Sequence, residues 1–269
     1  MTDPIQPIQP IDTRSALSLP RPSWLGSVAG LVGLVVIWQL VGATIMKDSG
    51  SVPTPTDIVH QMSKDGWHFY WSNAKSTVSA AARGWLWGNL LAIGLAFLVF
   101  LVPMIERPVL QLGIVSYCLP IVAIGTIFAI VFSGDSPKVI LAAMAVFYTT
   151  LIGSILGLRS ADTASLDVIH AYGGGAWKKL VKVRLRASLP SLFAALRIAA
   201  PAAILGAIIG EYLGAEKGLG VSMINSQQAL EVSRTWAIAL VATGVSGLGY
   251  GLTALVGRLL TPWAPKGPQ

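Results

Sequence analysis

Residues 159–190, RSADTASLDVIHAYGGGAWKKLVKVRLRASLP, form a polar stretch between two long apolar runs. This stretch, called the polar loop below, holds six of the nineteen Lys and Arg residues and three adjacent glycines, Gly173, Gly174 and Gly175. Apolar residues recur at helical spacing on both sides of the glycines: Leu166, Ile169, Trp177, Leu180, Val181 and Val183. The pattern predicts two short helices broken at the glycines, and we expect such a loop to be held by another protein. The alternative is a solvated basic loop that only fixes the topology.

Composition places most of the chain in lipid rather than in water. The mean hydropathy is +0.67, and 12% of the residues are charged, against about 25% in soluble domains. The net charge of +7 raises the question of nucleic-acid binding. However, the basic residues lie between apolar runs and form no basic face interleaved with aromatic residues. We therefore expect a polytopic membrane protein with no nucleic-acid partner, whose basic residues determine its topology.

Six runs along the chain are long and apolar enough to cross a bilayer as helices. The predicted spans are 24–46, 78–103, 108–133, 138–158, 190–211 and 235–258. They predict an all-α membrane protein with one transmembrane domain over residues 23–263. Residues 1–22, rich in Pro and Gln, are predicted to be a flexible tail, and residues 264–269 a short C-terminal tail.

The Lys and Arg residues are distributed unequally between the two sides of the predicted spans. Eleven lie on the side of the polar loop: Arg14, Arg21, Arg107, the six in the loop itself, Arg258 and Lys266. Six lie on the other side: Lys47, Lys64, Lys75, Lys138, Lys217 and Arg234. Cytoplasmic loops carry the excess of basic residues, so both termini and the polar loop are predicted to be cytoplasmic.

Small and charged residues inside the spans predict particular contacts. Glycines four residues apart allow two helix backbones to approach closely; they are Gly84/Gly88, Gly153/Gly157, Gly206/Gly210/Gly214 and Gly247/Gly251. Arg197 interrupts the fifth span, and a central Arg costs roughly 2.5 to 3.5 kcal/mol on insertion scales. We expect its side chain to face a partner or water.

Polar side chains in the spans are candidates for a translocation pathway, because such side chains prefer the interior of a helix bundle. The candidates are Ser116, Tyr117, Tyr148, Thr149, Thr150 and Glu211. Ser and Thr also serve helix packing, and Glu211, at the end of the fifth span, equally fits an interfacial carboxylate with no role in transport. A cluster of aromatic residues, Trp67, Phe69, Tyr70 and Trp71, fits the membrane interface, with a substrate-stacking cage as the alternative.

Several kinds of chemistry are missing from the sequence. All three histidines, His60, His68 and His170, lie outside the predicted hydrocarbon core, so they cannot form an intramembrane proton relay. The pattern Gly-x-x-x-x-Gly-Lys-Ser/Thr does not occur, so the chain has no phosphate-binding loop of that kind. The acidic residues are scattered singly, which disfavours a membrane enzyme. The single cysteine, Cys118, excludes an intramolecular disulfide and is expected to be a buried, inert thiol.

Three short patterns occur in a fixed order along the chain. Residues 157–159 read GLR, and residues 167–173 read DVIHAYG, with Leu-Pro following at 189–190. Residues 210–214 read GEYLG, and residues 218–220 read GLG. In this order the chain resembles the permease subunits of bacterial ATP-binding-cassette importers, in the branch that includes nitrate, taurine and aliphatic sulfonate permeases. The resemblance covers residues 52–263.

The marker of that family is a cytoplasmic loop of the form Glu-Ala-Ala-x-x-x-Gly, in which Gly173 matches the glycine. Asp167 stands in place of the glutamate, Val168 and Ile169 in place of the alanines, and Arg186 in place of a proline. The departures bear on how tightly the loop docks. The resemblance implies a type I importer permease fold in which this loop couples to an ATPase subunit. The coupling residues so implied are Asp167, Ile169, His170, Ala171, Gly173, Gly174, Trp177 and Leu180.

The resemblance also implies an assembly. Two permease subunits, expected to be a homodimer, form the pathway in the bacterial inner membrane, two ATPase subunits drive it, and a periplasmic binding protein delivers a small polar or anionic solute. No cofactor is expected in this chain, because ATP and Mg²⁺ are bound by the ATPase. From the residues alone, a self-contained secondary transporter or channel remains the alternative.

Overall fold

The computed structural model describes residues 23–47 and 50–264, and every regular element in these ranges is helical. The eleven α-helices are α1 (Ser23–Ala43), α2 (Pro55–Asp65), α3 (Trp67–Leu101), α4 (Glu106–Cys118), α5 (Ile121–Val131), α6 (Ser136–Arg159), α7 (Thr163–Ala171), α8 (Ala176–Lys179), α9 (Leu185–Tyr212), α10 (Leu219–Gln228) and α11 (Val232–Leu260). A 3₁₀ turn over Pro103–Ile105 precedes α4, and a π-helical stretch over Leu180–Arg184 joins α8 to α9.

The chain divides into two compact units, residues 1–56 and residues 57–269. The described part of the first unit contains α1, a helix without charged residues. The Gln39 amide donates a hydrogen bond to Thr56 Oγ1 at 3.2 Å, and Thr54 packs against Gly42. The predicted flexible tail over residues 1–22 lies outside the described residues.

The core of the second unit is built from α3, α6 and α9, which pack through small residues. A Cβ added to Gly88 would lie 2.5 Å from the Ala143 carbonyl oxygen of α6, and one added to Gly206 would lie 2.7 Å from that of Leu141. Further along the same pair of helices, a Cβ on Gly153 of α6 would meet Ala195 of α9 at 2.5 Å. Backbones this close leave no room for larger side chains.

Three of the predicted close contacts are therefore confirmed, namely Gly84/Gly88, Gly153/Gly157 and Gly206/Gly210. The prediction was wrong for Gly214, which lies after the end of α9 with a φ of +128° and open space around it. At Gly247 and Gly251 of α11, an added Cβ would meet no atom of the described chain within 4 Å, so a close approach there stays a prediction. The spacing alone does not tell a packed helix face from an open one.

Within residues 23–47 and 50–264, four helices are long and apolar enough to cross a membrane: Trp67–Leu101, Ser136–Arg159, Trp177–Tyr212 and Val232–Leu260. A further pair, Pro103–Cys118 and Ile121–Val131, is bent by 90° and counts as at most one broken span. The predicted third span over 108–133 corresponds to this bent pair. The bend falls at Leu119-Pro120, because proline lacks the N–H that would continue the helix. In the first unit, the apolar helix Val28–Ala43 is shorter than these spans.

Two of the long helices extend well beyond the predicted spans. The helix ending at Tyr212 starts at Trp177 rather than at residue 190, and α3 starts at Trp67 rather than at residue 78. The prediction counted charge-free residues, whereas Lys and Arg side chains can extend from a helix end into the headgroup layer. Arg197, in the middle of α9, lies over the Tyr250 ring of α11 at 5.3 Å, which confirms that it faces a partner.

Candidate functional site

The polar loop contains two short helices separated by the glycines, as predicted. Asp162 caps the start of α7, accepting a hydrogen bond from the Ser165 N–H at 3.2 Å. At its end, the Gly173 N–H donates to the His170 carbonyl at 2.9 Å and the Gly174 N–H to the Ile169 carbonyl at 2.8 Å. This pair of bonds is a Schellman motif, which places its C′ residue in the left-handed region. Gly173 has a φ of +73° and fills that role without strain.

Helix α7 presents its side chains to the surroundings of the chain. None of its residues is buried. Apolar side chains in and beside α7 are largely exposed, with Val168 at 54%, Tyr172 at 86% and Trp177 at 67%. An amphipathic or apolar helix exposed in this way is typical of a segment that docks into a groove on a partner.

The predicted coupling residues fall into three groups in the structure. Ile169 and Gly174 touch each other, because a Cβ on Gly174 would lie 2.4 Å from Ile169 Cγ2. Exposed at the surface of the loop are Asp167, His170, Ala171, Gly173 and Trp177. Leu180 is 2% exposed and belongs to a core cluster with Leu158 and Val99, so it anchors the loop to the bundle.

The two ends of the polar loop are held to the helices that carry it. The Arg184 Nη1 donates to the Leu158 carbonyl oxygen at 3.2 Å, and the Arg184 guanidinium lies over the Phe100 ring at 4.6 Å. The Arg159 guanidinium pairs with Glu106 at 2.5 Å, and the Ser160 hydroxyl donates to the Ala187 carbonyl at 3.2 Å. These contacts fix both ends of the polar loop against α3, α4, α6 and the start of α9.

Glu211 lies buried at the end of α9, with 1% of its surface exposed. The Thr77 hydroxyl of α3 donates to its Oε1 at 2.8 Å, and the Gly220 N–H donates to its Oε2 at 2.8 Å. The Thr77 oxygen in turn accepts from the Leu219 N–H at 2.9 Å. The carboxylate thus ties α3, α9 and the start of α10 together.

This arrangement explains the Gly218-Leu219-Gly220 pattern. Gly218 has a φ of +144°, and a Cβ there would lie 2.1 Å from the Glu211 carboxylate. A Cβ on Gly220 would lie 2.6 Å from the Ile208 carbonyl oxygen. Only glycine lets the backbone approach the carboxylate closely enough to donate to it. Sequence reasoning found Glu211 but not Thr77, because an isolated Thr in a helix carries no signal of its partner.

A second polar cluster lies beside this one. Lys138 is 3% exposed, and its ammonium group lies 2.7 Å from Asp135 and 3.4 Å from the Lys217 carbonyl oxygen. Arg83 pairs with the same Asp135 at 2.8 Å. The hydrogen bond from Lys138, followed by that from Arg83, holds the pKa of Asp135 below its ordinary value. Lys138, counted from the sequence as a topology determinant, is therefore a buried structural cation.

The candidate pathway residues lie in two environments, the surface of the chain and the interior of the bundle. Tyr117 and Tyr148 stack with ring centroids 4.8 Å apart, and Tyr117 is 69% exposed. Thr150 is fully buried and donates to Asn89 Oδ1 at 2.6 Å, so it joins Glu211 in the interior. The Ser116 hydroxyl bonds to the Gly113 carbonyl of its own helix at 2.7 Å.

Thr149 is half-buried, between those two environments.

Cys118, next to the bend, is exposed rather than buried. The buried thiol expected from the apolar run was wrong, because α4 ends at this residue instead of continuing into the bundle.

The aromatic cluster at the start of α3 does not close into a cage. Trp67 and Trp71 stack at 5.9 Å and are 75% and 55% exposed, as suits the membrane interface. Tyr70 is buried and donates its hydroxyl to Asp65 at 2.7 Å. Arg234 of α11 donates to the same carboxylate at 2.6 Å and lies over the Phe69 ring.

The fold and this loop define a class of protein: an all-helical, multi-pass membrane protein with an exposed helix pair between two long spans. Comparison with known families makes the assignment specific. Residues 88–263 match the family described as "Binding-protein-dependent transport system inner membrane component". The chain belongs to this family and is a permease subunit of an ATP-binding-cassette transporter, not an enzyme. The family membership decides against the self-contained carrier or channel that the residues alone left open.

The chain is also similar to several curated permeases. It is 25% identical over 234 residues to the formylaminopyrimidine transport permease protein ThiX of Halalkalibacterium halodurans, covering 87% of this chain and 93% of the relative. It is 28% identical over 254 residues to the riboflavin transport system permease protein RibX of Chloroflexus aurantiacus, covering 91% and 93%. It is 24% identical over 250 residues to the putative aliphatic sulfonates transport permease protein SsuC of Bacillus subtilis, covering 90% and 89%.

Proposed function

We propose that this chain forms the translocation pathway of an importer and that its polar loop receives the motion of a separate ATPase. The observation that carries the proposal is α7, an exposed helix with no buried residue whose end is fixed by the Gly173 turn. A helix with exposed apolar side chains needs a groove to cover it. Both ends of the loop are anchored, so a pull on α7 reaches α6 and α9.

The proposed assembly contains two copies of this chain, two ATPase subunits and a periplasmic binding protein. ATP and Mg²⁺ bind to the ATPase, since the sequence of this chain lacks the phosphate-binding loop. The excess of Lys and Arg on the side of the polar loop supports a cytoplasmic loop and cytoplasmic termini. Closure of the ATPase dimer then moves the two α7 helices together and turns the spans outward, as a rigid-body switch between two states.

The proposed substrate is a small polar or anionic solute, such as a sulfonate, taurine or nitrate. The name of one relative, a putative aliphatic sulfonates transport permease, supports this range, whereas two other relatives are named for formylaminopyrimidine and riboflavin. The stacked pair Tyr117 and Tyr148 supports a pathway along α4 and α6, because their hydroxyl groups offer hydrogen bonds to a polar solute.

A matched pair of glycine variants tests the coupling role of the loop. Gly173→Val forces a β-branched residue into the left-handed region, whereas Gly175→Val introduces the same side chain at a position with a permitted φ and nothing within 4 Å. The strain is on the order of 1–2 kcal/mol, so Gly173→Val should reduce ATPase stimulation roughly tenfold. Gly175→Val should preserve it.

The measurement is the rate of ATP hydrolysis by the purified complex of this chain and its ATPase, with and without the periplasmic binding protein. All rates are measured in the same lipid. Equal stimulation in both variants, with both complexes assembled, would contradict the coupling role. Failure of Gly173→Val to copurify the ATPase, while Gly175→Val does so, would support it, because the turn would then be needed for docking itself.

A further inference from the structure

A small pocket with an apolar wall and three charged side chains lies where the polar loop joins the bundle. Its volume is about 210 Å³, below the range of roughly 300–1,000 Å³ of sites for drug-sized ligands. Arg159 and Arg184 line it together with Glu106, and Phe100 and Ile155 form part of its apolar wall. Arg159 is the first residue of the polar loop and Arg184 lies near its end, so the pocket is bounded by both ends of the loop.

The two arginines retain donors that no described residue accepts from. An arginine carries five N–H donors. Arg184 uses one on the Leu158 carbonyl oxygen, while its Nε is buried and has no hydrogen-bond partner within the described residues. Arg184 also forms no ion pair within the part of the chain that the structure describes. A buried donor on a cation that lacks a partner is costly, and an ordered anion would satisfy it.

Arg159 contributes a second cation at the mouth of the pocket. Its side chain is 55% exposed, and only its Nη2 is engaged, by Glu106. Two arginines against one carboxylate leave the pocket with a net positive charge. Planar guanidinium groups are well suited to bind phosphate through paired hydrogen bonds.

We infer that the Arg159 and Arg184 pocket binds a phosphate group, and that the source of this group is the headgroup of an anionic phospholipid. The location favours a lipid, because the pocket lies at the ends of the spanning helices α3 and α6 and has an apolar wall beside its cations. Basic pockets between membrane helices bind such headgroups. The bound phosphate bridges the two ends of the polar loop and fixes the base from which α7 projects.

Binding of a lipid phosphate to the pocket depends neither on which solute is transported nor on the proposed coupling role of the loop. Only its placement in the cytoplasmic leaflet rests on the proposed orientation. A variant can therefore lose lipid binding and keep ATPase stimulation, or lose ATPase stimulation and keep lipid binding. The two proposals are thus tested separately.

The experiment titrates phosphatidylglycerol into the purified full-length chain in a neutral detergent and counts retained lipids by native mass spectrometry. Arg184→Gln removes the central cation, and Arg186→Gln is the matched control, an exposed arginine two residues away that does not line the pocket. Loss of a charged hydrogen bond should lower phosphatidylglycerol affinity about tenfold in Arg184→Gln and leave it unchanged in Arg186→Gln. Phosphatidylcholine should show no difference among the three proteins.

A second variant protects the test against a folding defect in Arg184→Gln. Glu106→Gln removes the competing carboxylate and frees Arg159, so it should raise phosphatidylglycerol affinity several-fold. Inorganic phosphate is the second probe: if it stabilises the wild-type chain and displaces the lipid, the pocket is a phosphate site that free phosphate also fills. Equal loss of lipid in Arg184→Gln and Arg186→Gln would overturn the inference, as would an unchanged affinity in Glu106→Gln.

Discussion

The hydroxyl of Thr77 in α3 lies 2.8 Å from Oε1 of Glu211 in α9, a residue 134 positions further along the chain. The same oxygen accepts the Leu219 N–H, so one threonine serves both the carboxylate and the helix start that faces it. Buried polar groups of this kind are costly when a partner is removed. We therefore expect substitutions that break the hydrogen bond between Thr77 and Glu211 to lower the stability of the bundle.

Replacing Glu211 by alanine should destabilise the bundle strongly. The Thr77 hydroxyl and the Gly220 N–H would both lose their acceptor, at about 1–3 kcal/mol each. We expect a drop of roughly 5–10 °C in the melting temperature of the purified chain, measured by intrinsic fluorescence. Glu216→Ala, at an exposed position on the following loop, is the control and should leave it unchanged. Equal effects of the two variants would show that the network does not stabilise the fold.

Alanine at Gly88 should be far more damaging than alanine at Gly247. The added Cβ at position 88 meets the Ala143 backbone at 2.5 Å, whereas at position 247 nothing lies within 4 Å. Overpacking costs about 1–3 kcal/mol, while Gly→Ala in an open helix stabilises by about 0.5–1 kcal/mol. The melting temperature should therefore fall in the first variant and rise slightly in the second. A rise in both would mean that α3 and α6 are not packed closely.

Stability should depend on pH through Asp65. Burial raises the pKa of its carboxyl, but hydrogen bonds from Arg234, Tyr70 and Gln61 outweigh this and hold the pKa below its ordinary value of 3.8. The ionised form therefore stabilises the folded chain above pH 3.8, and this contribution is lost as the pH falls through the lower folded-state pKa.

The matching measurement is the melting temperature as a function of pH for the wild type and Asp65→Asn. The wild type should lose stability more steeply below pH 3.8 than Asp65→Asn, which lacks the titrating group. At neutral pH, Asp65→Asn should be less stable by about 1.5–3 kcal/mol, because Arg234 loses a charged partner. Parallel curves for the two proteins would show that the ion pair does not form.

Cysteine labelling separates the candidate pathway residues. In a Cys118→Ser background, Tyr117→Cys and Tyr148→Cys should react with a small polar maleimide in the assembled transporter, and Tyr148→Cys should be protected by transported solute. Thr150→Cys should not react, because this position is fully buried against Asn89. Reaction at position 150 with none at position 148 would move the pathway to the other side of α6.

Some of these features could be read from the sequence because they depend on local patterns. The break at Gly173 follows from three glycines between helical repeats, and the close approach at Gly84 and Gly88 follows from their spacing on one helix face. The 90° bend between α4 and α5 was not predicted from the sequence, since its angle depends on what packs around it.

The rest depends on contacts between residues distant in sequence. Nothing local in Thr77 indicates Glu211. Asp135 lies only three residues before Lys138, but nothing local indicates that Lys138 is buried beside the Lys217 carbonyl. That Gly247 and Gly251 contact nothing else in the described chain was likewise not predictable, because their spacing is the same as that of the packed pairs.

The most direct test of the account is a photo-crosslink from the polar loop to the ATPase. A photoreactive phenylalanine at Tyr172, which is 86% exposed, is compared with one at Leu230, which is 84% exposed and lies between α10 and α11. We expect a covalent adduct with the ATPase subunit from position 172 and none from position 230. An adduct from position 230 and none from position 172 would place the ATPase on the opposite side of the membrane bundle and contradict the account.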